Sequence, residues 1–439
     1  MTNGKNNTIK SGRLCLLVEA SADIRQELLM KVEKALRGGL KMILLRKGPG
    51  GKKDLESLSA GLTELAERYD ARLFIEGSPE TAEKVGAAGL YLDPEKMEDL
   101  PENDPPADSL LYKGGPVRSP EQAVRAEAVG ADYLSAGPVS AGGSGSPVNE
   151  TDLISPGELR KICEAVKIPV FAETSLRAAD VPALSGSGIA GILTPAPLSA
   201  GGITEETARL SDAVHQLQGA AGIRAAVFDY DGTILDSMPM WGTTPARFAA
   251  RLGREVDDSF NDSIKYMSLE ESAQIFREFG AKGTDEEIVD QIMDMVFESY
   301  RDELQLKEGV VELLEDLSAH GIRMSIATQT PSRMILAANK RLGIDHYFEA
   351  VYSCGEWKTH KKEPDIYYIA AAGIGAAPCE TLVFEDMVYA AETAGRAGFT
   401  VMGVADDSSV KDRERIRKAS RLFLESLKEW PGIGNLEKE

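Results

Sequence analysis

The stretch Ala225-Ala226-Val227-Phe228-Asp229-Tyr230-Asp231-Gly232-Thr233 decides the fold of the C-terminal half of this 439-residue chain. Its first four residues form an apolar run that is typical of a buried parallel strand. The two aspartates therefore come where that strand ends, which is the usual place for a ligand site in an open α/β sheet. Of two such carboxylates, one can attack phosphorus while the other moves a proton. Gly232 lets the chain turn sharply beside a bound anion.

A calcium-binding loop is an alternative interpretation of the same motif. In a calcium loop the sixth residue is glycine and the twelfth is glutamate. Counted from Asp229, Gly232 comes two residues too early, and the twelfth residue is Met240. The spacing therefore argues against calcium, and a chance turn would be the stronger alternative only if the motif stood alone.

Three further polar segments follow the motif in the sequence. Thr328 and Gln329 end the apolar run that starts at Arg323, and Glu385 and Asp386 follow the run Leu382–Phe384. A pair of lysines, Lys361 and Lys362, lies between them. Carboxylates hold magnesium through hard oxygens, and a lysine and a hydroxyl bind a phosphate dianion. The four segments together predict a magnesium-dependent phosphate site.

The order and spacing of these four segments resemble those of the haloacid dehalogenase superfamily of phosphatases, over residues 223–439. The resemblance implies that Asp229 is the nucleophile that forms an aspartyl-phosphate and that Asp231 is the general acid and base. It also implies that Thr328 is the phosphate-binding hydroxyl. Gln329 and Gly232 are further candidates for phosphate binding.

The same resemblance assigns the charged groups of the site. Lys361, rather than Lys362, corresponds to the lysine that offsets the charge of nucleophile and phosphoryl group, because the family spacing is Lys-x-x-Pro. Glu385 and Asp386 resemble the acidic metal-binding motif. With Asp229 and the backbone carbonyl of Asp231 they would hold Mg²⁺, the one cofactor that the resemblance implies.

About 70 residues of helical pattern follow the first motif and resemble the helical cap that one large subfamily inserts there. The cap is expected at about 238–305, with helices at Pro245–Leu252, Ser268–Phe279 and Asp285–Tyr300. A cap closes the site, excludes water and contacts the leaving group. Lys265 is expected to reach toward the substrate, with a solvated surface lysine as the alternative. Leu269 stands where sugar-phosphate mutases of similar architecture carry an arginine, which favours hydrolysis.

The first half of the chain alternates short apolar strands with amphipathic helices. Eight such units in about 200 residues predict a closed (β/α)₈ barrel, with an open doubly wound sheet as the alternative. The small, glycine-containing segment 216–223 predicts a boundary between domains 1–218 and 219–439. The eight strands are expected at Arg13–Val18, Met42–Arg46, Arg72–Ile75, Gly89–Leu92, Leu110–Tyr112, Tyr133–Ala136, Pro169–Ala172 and Ile189–Leu193.

Three scaffold phrases in this half resemble thiamine phosphate synthase and the TenI-like thiazole tautomerases. They are Ala35-Leu36-Arg37-Gly38-Gly39, Gly130-Ala131-Asp132-Tyr133 followed by Gly137-Pro138, and Lys167-Ile168-Pro169-Val170. The expected fold is again a (β/α)₈ barrel, and its chemistry would be placed at the C-terminal strand ends.

At those strand ends the sequence departs from the family. Arg46 is kept, but Leu44 replaces a glutamine, and Lys96 stands where a metal-binding aspartate is expected. The other departures are Glu76-Gly77 for an Asn-Asp pair, the segment 140–146 for a threonine- and lysine-rich loop, and Glu173-Thr174-Ser175-Leu176 for a phosphate loop. We therefore predict that the barrel has lost synthase activity. Glu76, Asp93 and Glu95 could form a substitute metal site, with a solvated acidic rim as the alternative.

Composition limits the remaining possibilities. The chain carries 49 basic and 70 acidic residues, a formal net charge of −21. Such a surface repels nucleic acid and anionic membranes, so neither is an expected partner. The four cysteines have no C-x-x-C spacing, the N-terminus is polar, and no run of 18 apolar residues occurs, all of which predict a cytoplasmic protein with reduced thiols.

We therefore expect a cytoplasmic magnesium-dependent phosphatase that acts on a small phosphorylated metabolite and is fused to an inactive synthase-type barrel. Thiamine monophosphate is the candidate substrate. Two alternatives remain open: a bifunctional thiamine phosphate synthase and phosphatase, and a barrel that senses a ligand and regulates the phosphatase. The sequence leaves the oligomeric state open.

Overall fold

The computed structural model describes residues 13–21, 24–48, 51–93, 95–96, 111–139, 153–219, 222–257, 260, 264, 267 and 269–436. Contacts divide the chain into two compact units. One consists of the chain up to Gly222 together with Ala371–Glu380, and the other of Ile223–Ala370 and the chain from Thr381 onward. The domain limits 1–218 and 219–439 stay a prediction. Across the described helices, none combines the length and the apolar character needed to cross a bilayer.

The first unit is a closed barrel of eight parallel strands, β1 to β8, in which each strand pairs with the next and β8 pairs with β1. The predicted (β/α)₈ fold is thus confirmed, and the open doubly wound alternative is wrong. The strands are β1 Leu14–Glu19, β2 Met42–Arg46, β3 Arg72–Glu76, β4 Gly89–Tyr91, β5 Tyr112–Val117, β6 Tyr133–Ala136, β7 Val170–Glu173 and β8 Gly191–Thr194.

Strand β5 is the one that the sequence misplaced. The prediction ended it at Tyr112, and the following Gly114-Gly115-Pro116 has the composition of a turn. In the structure this segment is the strand itself, and it pairs with β6 from Gly114 to Val117. A Cβ at Gly114 would overlap the ring of Tyr133. Glycine therefore serves here to admit a neighbouring aromatic side chain rather than to make a turn.

Bulky side chains fill the barrel interior. The rings of Phe74 and Tyr133 pack edge to face with centroids 5.2 Å apart. The hydroxyl of Tyr133 donates to the backbone carbonyl of Leu90 at 2.9 Å, and the hydroxyls of Tyr91 and Ser135 are 2.7 Å apart. The interior cluster consists of Cys15, Leu17, Met42, Leu44, Phe74, Tyr91, Tyr112, Tyr133, Phe171 and Leu193.

Six α-helices within the described residues of this unit connect or follow the strands. Three of them begin with a Ser-Pro pair, in which the serine hydroxyl accepts a backbone N–H and the proline fixes the first turn. The helices are α1 Arg25–Arg37, α2 Lys52–Arg68, α3 Pro79–Val85, α4 Pro120–Ala128, α5 Pro156–Ala165 and α6 Ile203–Leu217.

The second unit contains a parallel six-stranded sheet in the order β11-β10-β9-β12-β13-β14. Phe228 of β9 is in register with Ile326 of β10 on one side and with Phe384 of β12 on the other. The carboxyl ends of these three strands therefore meet at one edge. The strands are β9 Ala225–Phe228, β10 Arg323–Thr328, β11 Ala350–Ser353, β12 Thr381–Glu385, β13 Thr400–Val404 and β14 Leu422–Leu424.

Helices flank this sheet and form the cap. The core helices are α10 Val310–Ala319, α11 Ser332–Leu342, α12 Asp365–Gly373, α13 Val388–Arg396, α14 Arg413–Ala419 and α15 Ile433–Leu436. The cap helices are α7 Met238–Arg251, α8 Leu269–Glu278 and α9 Asp285–Asp302. Helix α9 starts with a capping box between Thr284 and Glu287.

Helix α7 begins seven residues before the predicted start at Pro245. Pro245 lies inside the helix, although proline is most often found in the first turn. The hydroxyl of Thr244 donates to the carbonyl of Met240 at 2.9 Å. The earlier start brings Met238 and Trp241 onto the cap helix next to the first motif.

Candidate active site

The first motif lies at the carboxyl end of the central strand β9. Asp229 directly follows this strand, and its backbone N–H donates to the carbonyl of Phe384 on β12 at 3.0 Å. Asp229 is only 7% exposed. The ladder between β9 and β12 thus fixes the backbone of Asp229 beside Glu385, the last residue of β12, and Asp386, which follows it.

Lys361 lies between two of these carboxylates. Its ammonium donates to Oδ1 of Asp229 and, at 2.7 Å, to Oε1 of Glu385. The hydroxyl of Tyr367 donates to the same Oε1 at 2.6 Å. Lys361 is buried, whereas the neighbouring Lys362 is exposed. Of the two lysines, the structure places Lys361 in the site.

Burial and charge set the protonation of these groups. Burial raises the pKa of Asp229 to about 6, the Lys361 ammonium opposes this rise, and Glu385 adds to it. Burial would lower the pKa of Lys361, but the carboxylates of Asp229 and Glu385 outweigh it, so that the pKa is raised and the lysine stays a cation. Burial, followed by the charges of Asp229 and Glu385, raises the pKa of Asp386.

Three acidic residues could hold a metal ion. Asp229, Glu385 and Asp386 each offer a carboxylate oxygen, and these oxygens lie within 4.8 Å of one another. Within the described part of the chain, Oε2 of Glu385 and both carboxyl oxygens of Asp386 are buried and accept no hydrogen bond. Buried oxygens of this kind are costly unless a cation binds them. This donor set of hard oxygens fits Mg²⁺.

Gly232 makes room for this cluster. Its φ angle is +81°, a conformation that favours glycine, and a Cβ there would overlap the carboxyl of Asp386. The carbonyl of Gly232 accepts a hydrogen bond from Nζ of Lys307 at 2.8 Å. Lys307 also donates to the carbonyl of Ala405 and to Oδ2 of Asp406, each at 2.8 Å. Lys307, which sequence reasoning missed, thereby fixes the turn of the motif.

The side chain of Asp231 accepts hydrogen bonds from three hydroxyl groups and is not part of the acidic cluster. Its Oδ1 accepts from Ser237 at 2.7 Å and from the hydroxyl of Tyr300, and its Oδ2 accepts from Thr330 at 2.7 Å. Burial raises the pKa of Asp231, although these three hydrogen bonds oppose the rise. A carboxyl with a raised pKa is suited to carry a proton.

The cap contributes to this network. The hydroxyl of Tyr300, in the last turn of α9, receives a hydrogen bond from Nε1 of Trp241 on α7 at 3.0 Å. Sequence analysis identified neither Tyr300 nor Ser237 as a site residue. Of the hydroxyl groups that contact Asp231, the one from Ser237 lies nearest in the sequence, six residues beyond it. It is the contact that the sequence could have suggested.

The predicted phosphate-binding residues Thr328 and Gln329 both lie at the end of β10. Thr328 is buried at the end of β10, and its hydroxyl accepts the N–H of Thr330 at 3.1 Å. Gln329 is exposed and donates to the hydroxyl of Tyr389 at 2.6 Å. Lys265 lies outside the described residues, and Leu269 is the first residue of α8.

At the C-terminal strand ends of the barrel, one arginine lies close to two glutamates. The Arg46 guanidinium at the end of β2 is 3.4 Å from a carboxyl oxygen of Glu173 and 3.8 Å from one of Glu76. Burial raises the pKa of Glu173, and Arg46 opposes the rise. Lys96 pairs with Asp93 at 2.9 Å. In the described part of the chain, the acidic residues close enough together to hold one metal ion are Asp229, Glu385 and Asp386, and the substitute site at Glu76, Asp93 and Glu95 stays a prediction.

Comparison with known families agrees with this geometry. Residues 226–404 match the model of the haloacid dehalogenase-like hydrolases, and residues 14–195 match the model of thiamine monophosphate synthase.

Three relatives represent the two halves. A phosphorylated carbohydrates phosphatase of Thermotoga maritima is 26% identical over 204 residues, which are 46% of this chain and 94% of that protein. A fructose-1-phosphate phosphatase of Escherichia coli is 28% identical over 184 residues, 40% of this chain and 94% of that protein. A thiamine-phosphate synthase of Pyrococcus abyssi is 32% identical over 191 residues, 43% of this chain and 89% of that protein. The N-terminal half of the chain thus belongs to the thiamine monophosphate synthase family, and the C-terminal half is a phosphoric monoester hydrolase domain that is similar to the haloacid dehalogenase-like hydrolases.

Proposed function

We propose that the C-terminal domain is a magnesium-dependent phosphatase that hydrolyses a small phosphorylated metabolite through an aspartyl-phosphate on Asp229. The observation that carries this proposal is the buried Lys361, which is paired with Asp229 and Glu385 beside the unsatisfied carboxyl of Asp386. A cation bound to these carboxylates would neutralise the negative charge of the phosphoryl group and of its transition state.

The residues divide the reaction between them. A carboxyl oxygen of Asp229 attacks phosphorus, and the bond from phosphorus to the ester oxygen breaks. Asp231 gives its proton to that oxygen, which leaves as the alcohol. Asp231 then takes a proton from water, whose oxygen attacks the same phosphorus and releases phosphate and the carboxylate of Asp229. Lys361 supports the attack because its positive charge favours the ionised form of Asp229.

The hydroxyl groups around Asp231 orient it for proton transfer. Ser237, Tyr300 and Thr330 occupy both of its oxygens, so its carboxyl is held at a fixed angle. Thr328 and the exposed Gln329 at the end of β10 are the groups that we assign to phosphate binding, with Gly232 beside them. Lys265 keeps its predicted role in the cap as part of this proposal.

This proposal has two candidate substrates. Thiamine monophosphate is the candidate that the fusion to a thiamine-type barrel suggests. This argument is associational, since function lies in sites and not in folds. Sugar phosphates are the second candidate, because two relatives of this domain are named for carbohydrate phosphates.

A screen of phosphate esters with the full-length protein tests the reaction and ranks the substrates. We expect turnover with Mg²⁺, loss of turnover in excess EDTA and recovery on adding Mg²⁺ back. Thiamine monophosphate should exceed sugar phosphates and nucleotides in kcat/KM by about tenfold or more, equivalent to about 1.4 kcal/mol. A sugar phosphate at the top of the ranking would overturn the substrate, and turnover that persists in EDTA would overturn the metal requirement.

We also propose that the barrel does not synthesise thiamine phosphate. Condensing two phosphorylated precursors requires cations to bind the pyrophosphate that leaves. Arg46, the family arginine that this chain retains, lies against Glu76 and Glu173 instead of an open anion site. The full-length protein, incubated with both precursors and Mg²⁺, should therefore produce no thiamine phosphate above the buffer control. Turnover comparable to that of an active synthase would favour the bifunctional alternative.

The regulatory alternative has a separate observable. If the barrel senses a ligand, a thiamine-related compound should raise the Tm of the full-length protein and change its phosphatase rate. Thermal scans and phosphate release with and without thiamine distinguish this alternative from an inert barrel.

A further inference from the structure

A cavity of about 370 Å³ is lined by residues of the cap and by Ser408 of the core. We infer that this cavity holds the leaving group of the substrate, and that this group has an apolar or aromatic body rather than the polyol chain of a sugar. The inference rests on the proposed function and specifies the substrate class of that same site. The lining of the cavity includes Met238, Trp241, Gly242, Thr244, Phe276 and Ser408.

Two side chains connect this cavity to the reacting groups. Met238 directly follows Ser237, which donates to Asp231, and its Cγ would be 3.2 Å from a Cβ at Gly232. Trp241 donates to Tyr300, which donates to Asp231. One intervening side chain, that of Tyr300, therefore links the Trp241 side of the cavity to the carboxyl that would protonate the leaving oxygen.

The polar groups of the lining are mostly committed to the protein. The hydroxyl of Thr244 donates to the carbonyl of Met240 at 2.9 Å, and Nε1 of Trp241 donates to Tyr300 at 3.0 Å. The hydroxyl of Ser408 donates to Oδ1 of Asp406 at 2.7 Å. A sugar that entered this space would exchange its hydrogen bonds with water for contacts with carbon, at a cost for each buried hydroxyl.

The described lining also carries hydrocarbon and aromatic side chains, among them Trp241, Phe276 and Ile292. An apolar ring would gain by its own burial about 25 cal/mol for each Å² removed from water. Trp241 and Phe276 can pack against such a ring.

The wild-type full-length protein provides the first test. We would measure kcat/KM in Mg²⁺ for 2-phenylethyl phosphate, glycerol 3-phosphate and fructose 1-phosphate, with acetyl phosphate as a small reference. The aromatic ester should exceed both polyol esters at least tenfold. Polyol esters that equal or exceed it would overturn the inference while leaving the phosphatase intact. Absence of turnover with every ester would instead remove the proposed function, and the inference with it.

A variant that fills the cavity provides the second test. A Cβ at Gly242, a helical residue of the lining, would meet no atom within 4 Å, so a larger side chain fits without strain. Gly242→Leu should lower the ratio of kcat/KM for 2-phenylethyl phosphate to that for acetyl phosphate about tenfold, with Gly242→Ala in between. Gly157→Leu, at a helical glycine of α5 that also has space, is the matched control and should leave the ratio unchanged. An unchanged ratio in Gly242→Leu would place the leaving group elsewhere.

Discussion

Replacing Asp229 with asparagine is expected to abolish phosphatase turnover, by about 10⁴-fold or more, as expected when a nucleophile is removed. The amide has nearly the shape of the carboxylate, but it is a poor nucleophile and cannot form the aspartyl-phosphate. Phosphate release from the best ester of the screen, measured in Mg²⁺ over hours, gives the residual rate. Turnover of this variant near the wild-type rate would remove Asp229 from the mechanism.

The same variant separates lost chemistry from lost folding. In the metal-free protein, Asp229, Glu385 and Asp386 share the one ammonium of Lys361, and burial together with this crowding raises the pKa of Asp229 to about 6. The ionised form of Asp229 is therefore destabilised by its surroundings at neutral pH. Removing that charge should keep or raise the Tm measured in EDTA, so an inactive but stable Asp229→Asn protein is the expected combination. A Tm far below wild type would mean that the loss of activity reflects unfolding.

Much of the architecture could be predicted because it depends on patterns that are local in the sequence. Seven of the eight barrel strands lie within three residues of their predicted ends, since each is a short apolar run between polar segments. Strand β5 was misplaced: its residues Gly114, Gly115 and Pro116 have turn composition, and the reason for glycine there is the ring of Tyr133, which no local pattern contains.

The partners of the candidate catalytic groups could not be predicted for the same reason. Tyr300 is 69 positions from Asp231 and Lys307 is 75 positions from Gly232, so both contacts depend on how the cap and the core helices pack. At the barrel mouth, the sequence indicated that Arg46 survives while its neighbours changed. It did not reveal that Glu173 and Glu76 both lie within 4 Å of this arginine. These contacts of Arg46 depend on closure of the barrel, because closure brings the ends of β7 and β3 to the same rim.

Replacing Lys361 with methionine should impair both activity and stability, because one buried cation serves both. Methionine keeps much of the volume of lysine but leaves the carboxylates of Asp229, Glu385 and Asp386 without a compensating charge. Removing one partner of a buried ion pair costs about 3–5 kcal/mol. Turnover should fall by about 10²–10³-fold, the effect of losing one group that stabilises the transition state by its charge.

Metal and pH dependence identify the cause of this loss. Burial raises the pKa values of Asp229 and Asp386, and Lys361 opposes both rises. Without the lysine these two carboxyls are harder to ionise, so the folded state binds protons more tightly than the unfolded state, and stability falls as pH rises. The Tm of Lys361→Met in EDTA should therefore be closer to wild type at pH 5 than at pH 8, and Mg²⁺ should recover part of the difference at pH 8. Lys362→Met is the matched control, because Lys362 is exposed, and it should retain wild-type turnover and Tm. Equal effects of the two substitutions would show that the buried position of Lys361 has no special role.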